Sequence, residues 1–300
     1  MASPRNPADV AAVLAEARRD GQSVKPIGSG HSFTPVAATD GIQVRLDQLT
    51  GLIRTDVDLD TGSGTATVAA GTSMRVFNAD LARLGLGLAN MGDIDLQTVS
   101  GAVSTGTHGS GRDMASLSAL VVGLEIVLPD GSLARCSADV EPDLFQAARL
   151  GLGALGIVTS LTFRVERAFL LHGVEERGHL DEVLERFDDY AGAAHLDMYW
   201  FPFTDYMQVK RHRRTDQPRR PMSTMSAWWT DVGENTGIGI VQRISRAAPR
   251  YTPAVNLVAG RLISHRDYID AAPSVFTRAR RIRWHEMEYA LPRRVAVPAI

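Results

Sequence analysis

The chain has 300 residues, 44% hydrophobic and 22% charged, which suits a folded globular protein long enough for two cores. A formal charge of −2 argues against nucleic acid or an anionic membrane as the main partner. No apolar run is long enough to span a bilayer, and the first residues lack the apolar core of a signal peptide. Cys136 is the only cysteine, so neither an internal disulfide nor a cysteine-based zinc site is expected, no metal site is predicted, and the compartment expected is the cytoplasm.

In chain order, Asn6 is a candidate N-cap with Pro7 at the first helical position. Val10, Val13, Leu14 and Ala17 form the stripe of that helix, and Arg18, Arg19 and Gly21 close it. Strands are predicted over residues 24–27, 42–46, 52–59 and 65–69, the last two joined by Thr61-Gly62-Ser63-Gly64. Ser73 caps a helix carrying Val76, Phe77, Leu81 and Leu84, and Gly85 ends it. Residues 119–128 and 132–136 read as a hairpin across Pro129-Asp130-Gly131. A helix over 142–150 and a strand over 157–165 follow. Short strands and helices mix without regular βαβ alternation, which is an α+β pattern.

Near Arg167 the character changes, and two domains are expected, 1–167 and 168–300. The second is read as a helix over 180–190, an aromatic strand over 198–203, loop over 219–225, helices over 238–244 and 254–263, and a strand over 284–291. Lys210 to Arg214 reads as a solvated strand edge rather than a nucleic-acid patch. Trp228-Trp229 reads as core on one side and loop cover on the other, and Cys136 is expected to pack within its strand. Glu286-Met287-Glu288-Tyr289 alternates, placing both carboxylates on one strand face.

Two stretches carry the chemistry. Gly28-Ser29-Gly30-His31-Ser32 follows the first strand, and its glycines permit positive φ and close approach of backbone N–H groups to an anion. Ser104-Thr105-Gly106-Thr107-His108-Gly109-Ser110-Gly111 repeats the same chemistry: small residues, hydroxyls and one histidine. The pair suggests one long ligand, such as a pyrophosphate ester, gripped from two sides. Gly151-Leu152-Gly153-Ala154-Leu155-Gly156 matches G-x-G-x-x-G, but a helix precedes it and a strand follows. A dinucleotide fold needs the reverse order, so a Rossmann site is rejected and a helix-to-strand turn is expected.

These stretches, with Thr67-Val68-Ala69-Ala70-Gly71 and Gln97-Thr98-Val99-Ser100-Gly101, resemble the FAD-binding domain of the vanillyl-alcohol-oxidase class. The Gln-Thr-x-x-Gly-x-x-x-Thr-Gly-Thr-His-Gly wording is similar to the sugar-lactone branch, L-gulono-1,4-lactone and D-arabinono-1,4-lactone oxidases or dehydrogenases, with alditol oxidases as cousins. Residues 198–205 and 286–292 resemble segments of that branch's cap domain. The resemblance implies an α+β, two-subdomain FAD-binding domain of the PCMH type, followed by an α+β cap with an antiparallel sheet.

It also implies site residues. His31 matches the residue that bonds the flavin 8α-methyl carbon in histidine-bearing members; the plain alternative is a hydrogen bond to the cofactor. Gly28, Ser29, Gly30 and Ser32 would donate to the pyrophosphate, with Gly101, Ser104, Gly106, Thr107, His108 and Gly109 lining its other side and the Ile157 backbone beside the flavin. Thr98 falls where the cousins place a hydroxyl near flavin and substrate, and it doubles as a helix N-cap.

The implied reaction oxidises a CH–OH group of a sugar-acid lactone, with hydride to flavin N5 and electrons then to O₂ or another acceptor. Two readings stand beside it: an alditol (xylitol or sorbitol) oxidase, and a flavin-binding product without turnover. A nicotinamide-dependent reductase is a third and weaker one. Against the family pattern the chain is expected to be truncated at both ends, and the Glu-x-Arg strand and lysine that carry the main base are expected beyond residue 300.

Overall fold

A computed structural model describes residues 1–282 and 285–299, which separate into two compact units. One comprises Met1–Gly109 with Ala115–Ala168; the other comprises Ser110–Met114 with Phe169–Ile300.

The first unit begins with helix α1 (Pro7–Arg19), capped by Asn6, whose side chain accepts from the Asp9 N–H at 2.9 Å. Val10, Leu14 and Ala17 are its buried stripe. Strands β1 (Val24–Ile27) and β2 (Ile42–Arg45) pair in parallel as a small separate sheet. A six-stranded sheet forms the rest of the framework. Its strands are β3 (Leu52–Asp58), β4 (Ser63–Ala69), β5 (Leu86–Gly87), β6 (Val121–Val127), β7 (Leu133–Ser137) and β8 (Ile157–Arg167). The order is β3-β4-β8-β6-β7, with β5 pairing the far end of β8.

Helices α2 (Met74–Arg83), α3 (Val99–Ser104), α4 (Leu117–Leu120) and α5 (Pro142–Arg149) complete the unit. Ser73 caps α2 by accepting from the Val76 N–H at 3.3 Å. Alternation along β8 buries Ile157, Leu161, Phe163 and Val165, and Phe163 meets Phe77 of α2 with ring centroids 5.3 Å apart. Burial of either ring contributes about 1.5–3 kcal/mol. Cys136 is buried in β7. The hairpin turns where expected, with Gly131 at φ +87 and Asp130 accepting from the Ser132 N–H at 2.9 Å.

The second unit is built on β9 (Leu170–His179), β10 (His195–Trp200), β11 (Tyr206–Thr215) and β12 (Arg266–Ala271), antiparallel throughout in the order β10-β11-β9-β12. Helices α6 (Leu180–Glu185) and α7 (Phe187–Ala191) lie between β9 and β10. Helices α8 (Thr224–Asp231), α9 (Ile238–Ala247) and α10 (Thr252–Arg261) lie between β11 and β12, and α11 (Ala272–Phe276) follows β12. Met207 and Val209 of β11 pack with Val183 of α6, Leu196 and Met198.

Residues of opposite parity carry a buried ion network. Glu175 is fully buried and faces Lys210 and Arg266 across both strand pairs. Arg266 Nη1 donates to Glu175 Oε2 at 2.7 Å, while Arg278 Nη2 and the Tyr268 hydroxyl each donate to Oε1 at 2.7 Å. Glu234 receives Lys210 at 3.5 Å and Arg280 at 3.1 Å. Burial opposes ionisation of Glu175, yet Lys210, Arg278 and Arg266 outweigh it and bring its carboxyl down to about 2. Burial pushes the neighbouring His212 imidazole down to about 4.

This network corrects the reading of Lys210 to Arg214 as a solvated edge. β11 is an internal strand, so Lys210 and His212 are only 7% and 5% exposed, with Glu175 opposite Lys210 and Gly173 opposite His212. The aromatic strand is displaced to residues 195–200: Pro202 has no N–H for a ladder, Phe203 adopts φ +68, and the chain turns there. The helix expected over 180–190 is broken at Arg186, whose φ of −100 and ψ of 21 leave helical geometry. Trp228 and Trp229 are both exposed and pack edge to face, so neither fills a core. Residues 285–291 form no strand, and Trp284 lies outside the described residues.

Candidate functional site

The first unit contains a cleft of about 390 Å³ where three backbone segments meet: the loop after β1, helix α3 with its cap, and the glycine turn between α5 and β8. Gly28, Ser29, Gly30, His31 and Ser32 line it from the first segment, Thr98, Gly101 and Ser104 from the second. Among the described residues, the backbone N–H groups of residues 28–32 make no hydrogen bond. Gly30 adopts φ +74 with open space where a Cβ would stand, the conformation that turns successive N–H groups toward one side. No carboxylate lines the cleft, and Lys25 supplies its one lysine or arginine side chain. This is a backbone nest suited to an anion.

Small residues at the contact of the first loop with α3 have a steric cause. A Cβ on Gly28 would stand 2.6 Å from Thr98 Oγ1, and one on Gly101 would stand 2.8 Å from the same oxygen. Thr98 caps α3 by accepting from the Gly101 N–H at 3.2 Å, so its hydroxyl fills the space that the two glycines leave. Gly28→Ala is expected to push the loop off α3 and to destabilise the protein by ~1–3 kcal/mol through overpacking. The urea midpoint of the purified variant measures this, and adding Thr98→Ala should restore much of it. Stability equal to wild type in Gly28→Ala would remove the steric argument.

The third wall was read from the sequence as a helix-to-strand turn, and none of its residues was named for the site. Gly151, Leu152, Gly153, Leu155 and Gly156 all line the cleft. Gly153 has φ +74 and a Cβ there would stand 2.5 Å from Pro26, while Lys25 Nζ donates to the Leu152 carbonyl at 2.8 Å. Strand β1 is thereby clamped to this turn. The G-x-G-x-x-G run was the available signal, and its order, helix before and strand after, is as expected. Gln97 was missed as well: its Nε2 donates to Thr107 Oγ1 at 3.2 Å, and its Oε1 is buried without a partner.

Other residues singled out lie off the cleft lining. Gly106 stands at φ +71 just past α3, where its N–H reaches the Val103 carbonyl and the Thr107 N–H reaches Ala102, a Schellman cap. Gly109 packs so closely that a Cβ would stand 2.1 Å from the Met91 carbonyl oxygen. His108 Nδ1 donates to the Gly109 carbonyl at 3.0 Å. Ile157 is buried at the start of β8, and its neighbours Gly156 and Val158 line the cleft instead. No group of three or more metal-ligating side chains occurs among the described residues, and no helix there is long and apolar enough to cross a membrane.

Residues 1–137 match the family described as FAD binding domain, and residues 161–300 match D-arabinono-1,4-lactone oxidase. An L-gulono-1,4-lactone dehydrogenase of Mycobacterium tuberculosis is 36% identical over 294 residues, 97% of this chain and 66% of that protein. The chain belongs to the sugar-lactone oxidoreductase family of flavoproteins. A D-arabinono-1,4-lactone oxidase of Eremothecium gossypii is 32% identical over 254 residues, 84% of this chain and 47% of that protein. This flavoprotein chain thus spans two thirds or less of the length of these relatives. Cholesterol oxidase from B. sterolicum superposes with a TM-score of 0.73 over 87% of this chain and 54% of its own, and at 20% identity the likeness is one of fold. The nest, the glycine contacts and the buried unpaired Gln97 Oε1 fit the FAD-binding assignment.

Proposed function

We propose that the cleft holds FAD, and that the protein oxidises a CH–OH group of a sugar-acid lactone of the L-gulono-1,4-lactone type. The supporting observation is the unbonded backbone nest over residues 28–32, in a cleft without a carboxylate, in a chain whose relatives are named for lactone oxidation. In this reading residues 1–167 form the cofactor domain and 168–300 a substrate-side cap. Bound FAD supplies a two-electron acceptor for hydride.

The chain's own groups bind and orient. Gly28, Ser29, Gly30 and Ser32 donate backbone N–H groups to the pyrophosphate, with Gly101 and Ser104 at its other side. Lys25 and Gly153 hold the opposite wall in place. Gly106, Thr107, His108 and Gly109 shape the second loop by capping and packing, and the Ile157 backbone fixes the turn of which Gly156 is part. Thr98 Oγ accepts from the Gly101 N–H, which leaves its hydroxyl proton available to a substrate oxygen. His31 lines the cleft and makes no hydrogen bond or ion pair among the described residues, so its imidazole is available for the covalent link to the flavin. O₂ or another acceptor takes the electrons onward, and the compartment proposed is the cytoplasm.

Anaerobic bleaching of the flavin is the direct test. L-gulono-1,4-lactone is expected to reduce it in preference to xylitol and to NADPH. Faster reduction by xylitol would reassign the substrate to alditols, and faster reduction by NADPH would make the protein a reductase. No reduction by any of them would leave a flavin-binding chain without turnover.

A further inference from the structure

A second concave site lies in the other unit, away from the described cleft. Helix α9 presents Gly239, Gln242, Arg243 and Arg246 along one side, at i, i+3, i+4 and i+7. With Arg281, Ile282 and His285 facing them, these side chains line a groove of about 660 Å³, within the range of small-molecule sites. No aspartate or glutamate lines it, and none occurs in the sequence between Glu234 and Asp267.

Two of its cations stand without a carboxylate partner. Arg243 and Arg246 make no hydrogen bond or ion pair among the described residues, although like charges one turn apart repel. Arg281 shares the carboxylate of Asp231, which does not line the groove. The base is rigid. Asn235, 5% exposed, donates to Asp231 Oδ1 at 3.1 Å and to the Ala279 carbonyl at 2.9 Å, and accepts from the Arg281 N–H at 2.7 Å. Asn235 and Thr236 stand in a π-helical stretch, Val232–Gly237, an irregularity enriched at functional sites. A Cβ added at Gly239 would stand 3.4 Å from Ile282 Cγ2, so a larger residue there would crowd the facing wall.

We infer that this groove binds a compact polyanion, a diphosphate, a diphosphate ester or a tricarboxylate, clamped between Arg243 and Arg246 on one wall and Arg281 and His285 on the other. A guanidinium is suited to this because its planar fork pairs two oxygens of one phosphate or carboxylate. The concave size favours a small molecule over an extended polymer. The inference does not rest on the lactone reading.

Calorimetric titration of the flavin-loaded protein with inorganic pyrophosphate, ADP and citrate tests it, the first cleft being filled already. Saturable binding of at least one is expected, weakening as salt rises. Arg243→Gln and Arg246→Gln should each lower affinity about tenfold, as loss of a charge-assisted hydrogen bond does. Arg243→Lys should retain part of it. Both arginines are exposed, and flavin content and thermal midpoint should stay at wild-type values in every variant. ADP binding tighter than pyrophosphate would identify a nucleotide, and citrate alone a carboxylate ligand. Absence of saturable binding with all three, or equal affinity in the double glutamine variant, would overturn the assignment.

Discussion

His31→Ala protein, denatured in acid and run on a gel, is expected to lose its flavin fluorescence entirely, while wild-type polypeptide stays yellow through the same treatment. The expectation rests on position: His31 stands in the cleft wall, one residue past the positive-φ Gly30, without a partner among the described residues. An imidazole nitrogen placed there could add to the 8α carbon of the flavin's methide tautomer, the methyl group having lost a proton and the ring its imidazole proton. The reduced flavin so left would be reoxidised by O₂ or another acceptor, and the bond would raise the flavin's potential as well as retain it. The variant should therefore also show a lower midpoint potential once reloaded with FAD. Colour washing out of both proteins would reduce His31 to a contact without removing the cofactor from the cleft.

The largest stability effect is expected at Glu175. Replacing it with alanine leaves Arg266, Arg278 and Lys210 buried around an empty position, and removal of one partner from such a cluster costs about 3–5 kcal/mol. All tryptophans of the chain fall after residue 168, so their fluorescence during urea unfolding reports on this unit. Glu175→Gln should lose less, because its amide oxygen still accepts from the Tyr268 hydroxyl. The pH dependence follows from the sign of the shift. The folded-state carboxyl is lowered from 4.5 to about 2, so its contribution is complete above about 4.5 and disappears as pH falls toward 2. Over that window wild type should lose about 3 kcal/mol more than Glu175→Gln. Equal stability of wild type and Glu175→Ala at neutral pH would mean that the network contributes nothing net.

Local signals made most of the first unit legible in the sequence. Asn6 and Ser73 cap helices, Gly131 turns a hairpin, and alternation along β8 sets its buried face, all within a few residues of the side chain concerned. Of the cleft, the loop at Gly28 to Ser32 and the cap at Thr98 were readable because glycine and hydroxyl residues act locally. The glycine turn at 151–156 was read as a turn but not as a wall, because only its contact with Pro26 and Lys25, distant in sequence, places it there. The same limit explains β11. A run of alternating basic residues is indistinguishable from a solvated edge until the strand opposite supplies Glu175. Trp228 and Trp229 misled for the converse reason, since large rings are read as core and here are not.

Residues 110–114 group with the second unit although the chain on both sides of them groups with the first. Ser110 is fastened there by its carbonyl, which accepts from His195 Nδ1 at 2.9 Å, and by its hydroxyl, which donates to Asp197 at 3.2 Å. The backbone therefore passes between the units at three places rather than one. A cut at residue 168 alone would leave the halves joined through this excursion. Expressed by itself, the C-terminal portion would lack Ser110, leaving the His195 ring nitrogen and the Asp197 carboxylate without that partner. Dissecting the protein into separately folding halves at the apparent boundary thus removes a segment that one half holds by hydrogen bonds, and a split version would have to carry residues 110–114 across as a graft.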